Sequence, residues 1–182
     1  DHTQGNAALQ AATGCRIIGP EEVRRAAPLD EVTSGGQTVM IGQTPLEVTH
    51  TPGHTLGHIV YRSVHDAVAF VGDTLFPLGC GRLFEGTPEQ MWDSLNILAA
   101  WPDATMLYGA HEYTAANARF ALSVDPRPEM KVHADAIFAL RDQGLATVPT
   151  TLAVERQFNP FLTARDLDTF TARRAAKDEF RG

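Results

Sequence analysis

The sequence has few cysteines and no long apolar run. Only Cys15 and Cys80 occur among 182 residues, which is too few for a disulfide framework and indicates a reducing compartment. No apolar stretch approaches the roughly 20 residues that cross a bilayer, and no charged-then-apolar leader opens the chain. We therefore expect a cytoplasmic protein that has no membrane partner.

Positive charge is also scarce. The chain has 15 Lys and Arg residues against 22 Asp and Glu, which gives a formal net charge of −7. Nucleic-acid binding requires a positive surface, so we expect no nucleic-acid partner. A hydrophobic fraction of 43% with 20% charged residues is ordinary for a globular protein, and the length suits one or two domains.

The first part of the chain is dominated by short β-rich runs. Gly, Pro, Asp or His residues separate these runs, as expected for strands joined by turns. The predicted strands cover residues 15–18, 38–41, 46–49, 59–61, 67–71 and 105–108.

Helical patterns dominate the rest. Thr87 and Pro88 are typical of a helix start, Thr151 is a candidate N-cap, and a short helix near the N-terminus is predicted to begin at Asn6 as cap and to end at Gly14. The predicted helices cover residues 5–12, 88–101, 114–124, 129–143, 152–157 and 166–180. We place a domain boundary at residue 112, which divides the chain into 1–112 and a helical domain at 113–182.

Five residues of metal-ligating type stand at the chain start or just after apolar runs and turns: Asp1, His2, His54, Asp73 and His111. Each one alone is compatible with an ordinary turn. Together they predict a metal site, because imidazole and carboxylate groups suit zinc, iron or manganese. The other histidines do not fit this set, and we interpret His58 as a supporting or structural group.

Several motifs resemble one family. Residues 51–58 (TPGHTLGH), 70–76 (FVGDTLF), 79–87 (GCGRLFEGT) and 111–114 (HEYT) resemble the metallo-β-lactamase superfamily and, within it, the hydroxyacylglutathione hydrolase (glyoxalase II) family. Residues 159–161 (NPF) and 173–180 (RRAAKDEF) resemble the helical domain of that family. The resemblance implies an α/β fold, the αββα sandwich, followed by a C-terminal helical domain.

The family motif His-x-His-x-Asp-His is matched only by its last two residues, Asp1 and His2. We therefore expect an N-terminally truncated chain that lacks the first strands and both leading histidines. By resemblance, those two histidines hold one metal ion together with His54 and a bridging Asp73. A second ion is held by Asp1, His2, Asp73 and His111.

The resemblance also implies the reaction and the cofactors. Asp1 and Asp73 are the candidate catalytic residues, and two divalent ions, zinc first and iron or manganese as alternatives, activate a water for attack on a thioester. The implied reaction converts S-D-lactoylglutathione to D-lactate and glutathione in methylglyoxal detoxification. A nucleophilic Cys80 is not favoured, since no activating base is assigned to it.

Arg174 and Lys177 are three residues apart and share a helix face, so they can attract carboxylates. By resemblance, Arg82, Tyr113, Arg174 and Lys177 are the substrate-binding residues, and the partner is a small-molecule glutathione thioester. The alternative is a cationic helix end that complements the helix dipole. Two other functions stay open: a mononuclear-iron persulfide dioxygenase of the same superfamily, and an inactive fragment. The sequence leaves the oligomeric state and the acyl preference undecided.

Overall fold

The computed structural model describes residues 2–182 as a mixed α/β structure. Asp1, predicted as a metal ligand and as a catalytic carboxylate, lies outside the described residues. The strands are β1 (Ile18–Gly19), β2 (Glu31–Val32), β3 (Thr38–Ile41), β4 (Thr44–His50), β5 (Ile59–Ser63), β6 (Val68–Gly72), β7 (Leu75–Phe76), β8 (Gly79–Cys80), β9 (Met106–Gly109) and β10 (Thr150–Thr151). The helices are α1 (Asn6–Thr13), α2 (Pro88–Ala99), α3 (Thr114–Val124), α4 (Pro128–Asp142), α5 (Leu152–Phe158) and α6 (Leu167–Glu179).

Six strands form one sheet in the order β10-β9-β6-β5-β4-β3. Strands β3 to β6 follow one another as an antiparallel meander, and β9 then pairs parallel to β6. A parallel pair needs a long crossover, and here the crossover contains the β7–β8 hairpin and α2. The carboxyl ends of β6 and β9 consequently lie side by side at one edge of the sheet.

The main core lies between one face of this sheet and α2. Ala69 and Val71 of β6 point into it, together with Met91 and Leu95 of α2. Alternation along β6 places these two residues on the buried face. Helix α6 packs on α2 and adds Phe170, which is fully buried. The C-terminal helices therefore share one hydrophobic core with the sheet.

The opposite face of the sheet is covered at β3 to β5, where Val39, Val48 and Ile59 are buried together, and within residues 2–182 it is exposed to solvent at β6 and β9. Phe70 of β6 and Tyr108 of β9 are 46% and 38% exposed. A cleft of about 590 Å³ runs beside Phe70, with Ile18 and Tyr61 in its lining. In the part of the chain that the structure describes, the predicted sandwich therefore contains one large sheet, and the remaining strands form two two-stranded pairs.

Local sequence signals account for several helix ends. Thr87 and Gln90 form a reciprocal capping box at the start of α2, and Thr151 caps α5. Gly14 ends α1 with a left-handed φ of 69°, which glycine adopts without steric cost. The prediction that Asn6 caps α1 is wrong, because Gly5 is the N-cap residue and no side chain caps this end. Among the described residues, no helix is both long enough and apolar enough to cross a membrane.

Candidate metal centre and adjoining cavity

Two of the predicted ligands follow adjacent parallel strands. Asp73 comes directly after β6 and His111 comes two residues after β9. The strands are in register at Gly72 and Gly109, and the N–H of Ala110 donates to the carbonyl oxygen of Gly72 at 3.0 Å. The parallel pairing therefore delivers a carboxylate and an imidazole to the same sheet edge.

The other described ligands reach this edge from two separate segments. His54 lies in the loop between β4 and β5, which are antiparallel to each other. Strand β5 is also antiparallel to β6, so this loop lies at the carboxyl end of β6. His2 arrives from the residues that precede α1. Four segments distant in sequence thus meet at Asp73.

The carboxylate of Asp73 is the centre of this cluster. Its Oδ2 lies 3.0 Å from Nε2 of His2 and 3.1 Å from Nε2 of His54, and its Oδ1 lies 3.5 Å from Nε2 of His111. The Nε2 atoms of His2 and His111 are 3.2 Å apart. All ligand atoms of His2, Asp73 and His111 lie within 4.8 Å of one another.

A hydrogen bond between Nδ1 of His54 and the backbone of Arg82 fixes the tautomer of the His54 ring. Nδ1 of His54 lies 2.8 Å from the carbonyl oxygen of Arg82, and a carbonyl only accepts, so Nδ1 carries the hydrogen. In the neutral ring, the lone pair of Nε2 then faces Oδ2 of Asp73. Two acceptors at this distance require a proton or a cation between them.

The electrostatics of the pair agree with this geometry. Hydrogen bonding to Asp73 raises the pKa of His54, although burial of the ring acts in the opposite direction. Burial of Asp73 opposes its ionisation, but His54, His2 and His111 together lower its pKa. The centre therefore favours an ionised Asp73 carboxylate beside the ring of His54.

His58 supports the centre without being placed as a ligand. Its Nε2 accepts the backbone N–H of Asp73 at 3.1 Å, and its Nδ1 lies 3.0 Å from Oγ1 of Thr51 and 3.1 Å from Oγ1 of Thr74. Burial lowers the pKa of His58 to about 4, so the ring is neutral near pH 7. Gly72 has a φ of +51°, and a Cβ there would meet the ring of His58 at 2.8 Å. His58 and Gly72 lie in two separate sequence motifs, 51–58 and 70–76, and the turn at Gly72 brings them into contact.

Two glutamates that the sequence analysis did not select hold the loop that carries His54. Oε1 of Glu22 accepts the hydroxyl of Thr55 at 2.7 Å, and its Oε2 accepts the N–H of Gly57 at 2.8 Å. On the other side, Glu85 accepts the N–H of Leu56 at 2.9 Å. The only sequence signal for these contacts is the acidic residue type itself.

A cavity of about 530 Å³ opens beside the centre. Its lining includes His54, Asp73 and His111 and also all four predicted substrate-binding residues: Arg82, Tyr113, Arg174 and Lys177. Tyr113 stacks on His111 with ring centroids 4.9 Å apart. Arg82 is exposed and bonds Asp178 of α6. The structure thus brings three of the predicted ligands and all four predicted substrate contacts to one cavity, while His2 lines the neighbouring cleft of about 590 Å³.

The two cationic residues of α6 differ in environment. Arg174 is 5% exposed, and its guanidinium donates to the carbonyl oxygen of Cys80 and to the carboxylate of Asp178, both at 2.9 Å. Its Nε is buried and has no hydrogen-bond partner among the described residues. Lys177 is half-buried and donates to the carbonyl oxygen of Ala116 at 3.0 Å. Burial, with the charge of Arg174, lowers the pKa of Lys177 to about 8.

Cys80 lines the same cavity but is a poor nucleophile. Its side chain is buried, and burial raises the pKa of its thiol to about 11. The polar side chain beside it is Arg174, with Nη1 3.6 Å from the sulfur. A thiol without a neighbouring base stays protonated near pH 7.

Comparison with known proteins identifies the class. A family model described as the metallo-beta-lactamase superfamily matches residues 1–111, and one described as the hydroxyacylglutathione hydrolase C-terminus matches residues 112–180. A hydroxyacylglutathione hydrolase of Maricaulis maris is 50% identical over 91% of this chain and 66% of its own length. One from Erythrobacter litoralis is 47% identical over 99% of this chain and 77% of its own. The chain thus spans about two thirds to three quarters of the length of these relatives.

A solved structure has the same fold. The crystal structure of ETHE1 from Myxococcus xanthus superposes with a TM-score of 0.71 at 26% identity, over 100% of this chain and 66% of that one. The chain therefore belongs to the metallo-beta-lactamase superfamily. Within that superfamily, its C-terminal residues and its relatives place it in the hydroxyacylglutathione hydrolase family. The fold class and the family inferred from the sequence motifs are confirmed.

Membership of this superfamily implies a divalent metal ion, and the residues at the centre fit one. Two ligands bound tetrahedrally to one zinc ion at about 2.0–2.2 Å are separated by roughly 3.3–3.6 Å, close to the distances between the imidazoles and Asp73. Oδ1 of Asp73 is buried and accepts no hydrogen bond from any residue in 2–182. An acceptor left in this state is costly unless a cation approaches it. His2, His54, Asp73 and His111 would hold the metal.

Proposed function

We propose that this chain is a thioester hydrolase that cleaves S-D-lactoylglutathione to D-lactate and glutathione, and so acts in methylglyoxal detoxification. The observation that carries the proposal is the convergence of His2, His54 and His111 on Asp73, beside a cavity whose far wall is α6. The curated relatives are named hydroxyacylglutathione hydrolases, which supports a glutathione thioester as the substrate. The proposal includes two divalent ions, zinc first, and a cytoplasmic location, which the free thiols of Cys15 and Cys80 support.

The side chains at the centre are suited to this chemistry. Divalent ions bound here would supply an activated water near neutral pH. Asp73 presents Oδ2 to His54 and His2 and Oδ1 to His111, so its carboxylate contacts His54 of the first expected ligand set and both His2 and His111 of the second. The carbonyl oxygen of Arg82 fixes the His54 ring. No general acid is needed for the leaving group, because a thiol with a pKa near ~8.5 leaves as a thiolate.

The opposite wall of the cavity is suited to glutathione, which carries two carboxylates. Lys177 and Arg82 provide positive charge, and the ring of Tyr113 is 49% exposed. Arg174 remains a predicted substrate contact that lines the cavity, and its guanidinium also bonds Cys80 and Asp178. The volume of about 530 Å³ lies within the ~300–1,000 Å³ typical of small-molecule sites.

The test is hydrolysis of S-D-lactoylglutathione after zinc loading. It compares the 182-residue chain with a version extended at its N-terminus by the His-x-His segment of the family. In the active protein, we expect Asp73→Asn to lower kcat at least ~100-fold, because residues that only orient the metal ligands already contribute about 10- to 100-fold. Asp135→Asn, on the exposed surface of α4, is the matched control and should retain full activity.

Each outcome decides between the functions left open by the sequence. Activity in the extended protein alone would identify the 182-residue chain as an inactive fragment. If neither protein cleaves the thioester, and the iron-loaded protein instead consumes oxygen with glutathione persulfide, the dioxygenase function replaces this one. Full activity of Asp73→Asn would contradict the role given to Asp73.

A further inference from the structure

A buried carboxylate of the C-terminal part of the chain reaches the sheet domain. Glu155 of α5 has no solvent exposure. Its Oε2 accepts the backbone N–H of Leu78 at 2.8 Å and Nδ2 of Asn159 at 2.9 Å, and its Oε1 accepts the hydroxyl of Thr150 at 2.8 Å. Burying a carboxylate is unfavourable unless its bonds are made, so these three partners fix its position.

The bonds of Glu155 and Asn159 hold the turn between β7 and β8. Nδ2 of Asn159 lies 3.1 Å from the carbonyl oxygen of Phe76 and 3.0 Å from that of Gly79, while Glu155 takes the N–H of Leu78 between them. Leu78 has a left-handed φ of 57°, a conformation that a non-glycine residue keeps only when its surroundings impose it. The shape of this turn is therefore set by the C-terminal segment.

The same turn leads directly into the metal centre. Four residues after Leu78, the carbonyl oxygen of Arg82 accepts the hydrogen bond from Nδ1 of His54. Between them, Gly81 passes so close to Asp73 that a Cβ would meet the Asp73 carbonyl oxygen at 2.1 Å. A displacement of the turn at Leu78 would also displace the Arg82 carbonyl that contacts His54, because only a short, tightly packed segment separates Leu78 from Arg82.

We propose that Glu155 is a positioning residue: by fixing Leu78, it holds the Arg82 carbonyl where it orients the His54 ring toward Asp73. The inference rests on the proposed role of His54 as a metal ligand. It assigns to the C-terminal helices a part in shaping the metal centre, in addition to forming the cavity wall.

The test uses two substitutions of Glu155 that differ in hydrogen bonding. In Glu155→Gln, the amide oxygen can still accept from Leu78 and the amide nitrogen can donate to Thr150. Glu155→Met fills the space but removes the acceptors. The first readout is the ring nitrogen resonances of His54, measured by long-range ¹⁵N–¹H correlation in the metal-free chain at mildly alkaline pH. The second is the zinc dissociation constant from calorimetric titration.

We expect Glu155→Met to shift the His54 Nδ1 resonance away from that of a hydrogen-bonded N–H and to weaken zinc binding about tenfold, the lower end of the effect of supporting residues. Glu155→Gln should restore both toward the parent values. Val39→Ala is the control for lost stability alone, since Val39 is buried in β3, in a hydrophobic cluster separate from the hairpin. It should leave the His54 resonances unchanged.

Unchanged His54 resonances and zinc affinity in Glu155→Met would overturn the proposal. The same shifts in Val39→Ala would also overturn it, because they would report general destabilisation. Should Glu155→Met fail to fold, Thr150→Val removes one bond to Glu155 and is expected to give a smaller shift in the same direction; no shift would count against the proposal. The resonance readout needs neither metal nor turnover, so failure of thioester hydrolysis would contradict the proposed function without changing this result.

Discussion

The backbone N–H of Asp73 donates to Nε2 of His58 at 3.1 Å, which ties the central carboxylate of the site to a neutral imidazole. We expect His58→Leu to weaken zinc binding about 10- to 100-fold, since residues that orient a ligand contribute this much. His58→Gln, whose amide can accept the same N–H, should lose less. Calorimetric zinc titration measures both.

The control for this prediction is His65→Gln, because the His65 side chain is 92% exposed. Its zinc affinity should equal that of the parent chain. Equal affinities for His58→Leu and the parent would mean that the backbone of Asp73 needs no such support.

Glu22 should restrain the loop that carries His54. In Glu22→Ala, the hydroxyl of Thr55 and the N–H of Gly57 lose their acceptor. A hydrogen bond to a charged group contributes about 1.5–3 kcal/mol, so hydrogen exchange at the Gly57 amide should accelerate roughly 10- to 100-fold. Exchange followed by NMR gives the rate.

The neighbouring Glu21 provides a matched control. It is exposed and pairs with Arg24 in the same short helical turn. Glu21→Ala should leave exchange at Gly57 unchanged. Equal acceleration in both variants would show that the effect comes from loss of the turn and not from loss of the two bonds.

Lys177 should make glutathione binding sensitive to pH. Burial and the nearby Arg174 lower its pKa to about 8, so the ammonium group loses its charge as the pH rises from 7 to 9. If the charge is needed, the dissociation constant of S-methylglutathione should rise about tenfold over this range. Lys177→Arg keeps the charge, and its dissociation constant should change less. Parallel pH profiles for the two proteins would remove Lys177 from the binding site.

Glu155 should make stability fall as the pH rises. Burial raises its pKa from 4.5 to about 7 in the folded chain, so between these values the folded state binds more protons than the unfolded state. Its contribution is complete below about pH 4.5 and is lost as the pH passes through about 7. The loss amounts to about 3 kcal/mol. The difference in unfolding free energy between the parent and Glu155→Gln, measured by urea denaturation, should shift by this amount in favour of Gln between pH 5 and pH 8.

An exposed glutamate gives the comparison for this pH effect. Glu89→Gln, in the first turn of α2, should retain the pH dependence of the parent chain. A Glu155→Gln variant with the same pH dependence as the parent would show that the buried carboxylate stays ionised throughout the range.

The elements that the sequence predicted well are those with strong local signals. The edge strand at 38–41 is found as Thr38–Ile41, and the helix at 114–124 is found as Thr114–Val124. The predicted strand at 15–18 is reduced to the pair Ile18–Gly19, and β10 was not predicted. Such two-residue strands depend on pairing with distant segments, which the local pattern does not contain.

The site shows the same division between local and tertiary information. His54, Asp73 and His111 could be selected because each stands at a turn or at a strand end in a recognisable motif. The carbonyl group that orients His54 could not be selected from the sequence, because every residue has a backbone carbonyl. Only the fold brings the carbonyl of Arg82 to the His54 ring. Glu155 sits in an ordinary helical pattern, and its contact with Leu78 spans 77 residues.

Helix α1 has no buried residue, and a side-chain hydrogen bond from Gln10 to Asp30 links it to the body of the chain. A metal ion bound by His2 would therefore also anchor α1, because only a few residues separate His2 from the start of this helix. Proteolytic cleavage around residues 3–14 would then become slower as the metal content increases. The amino-terminal segment would therefore report whether the centre to which it contributes His2 is occupied.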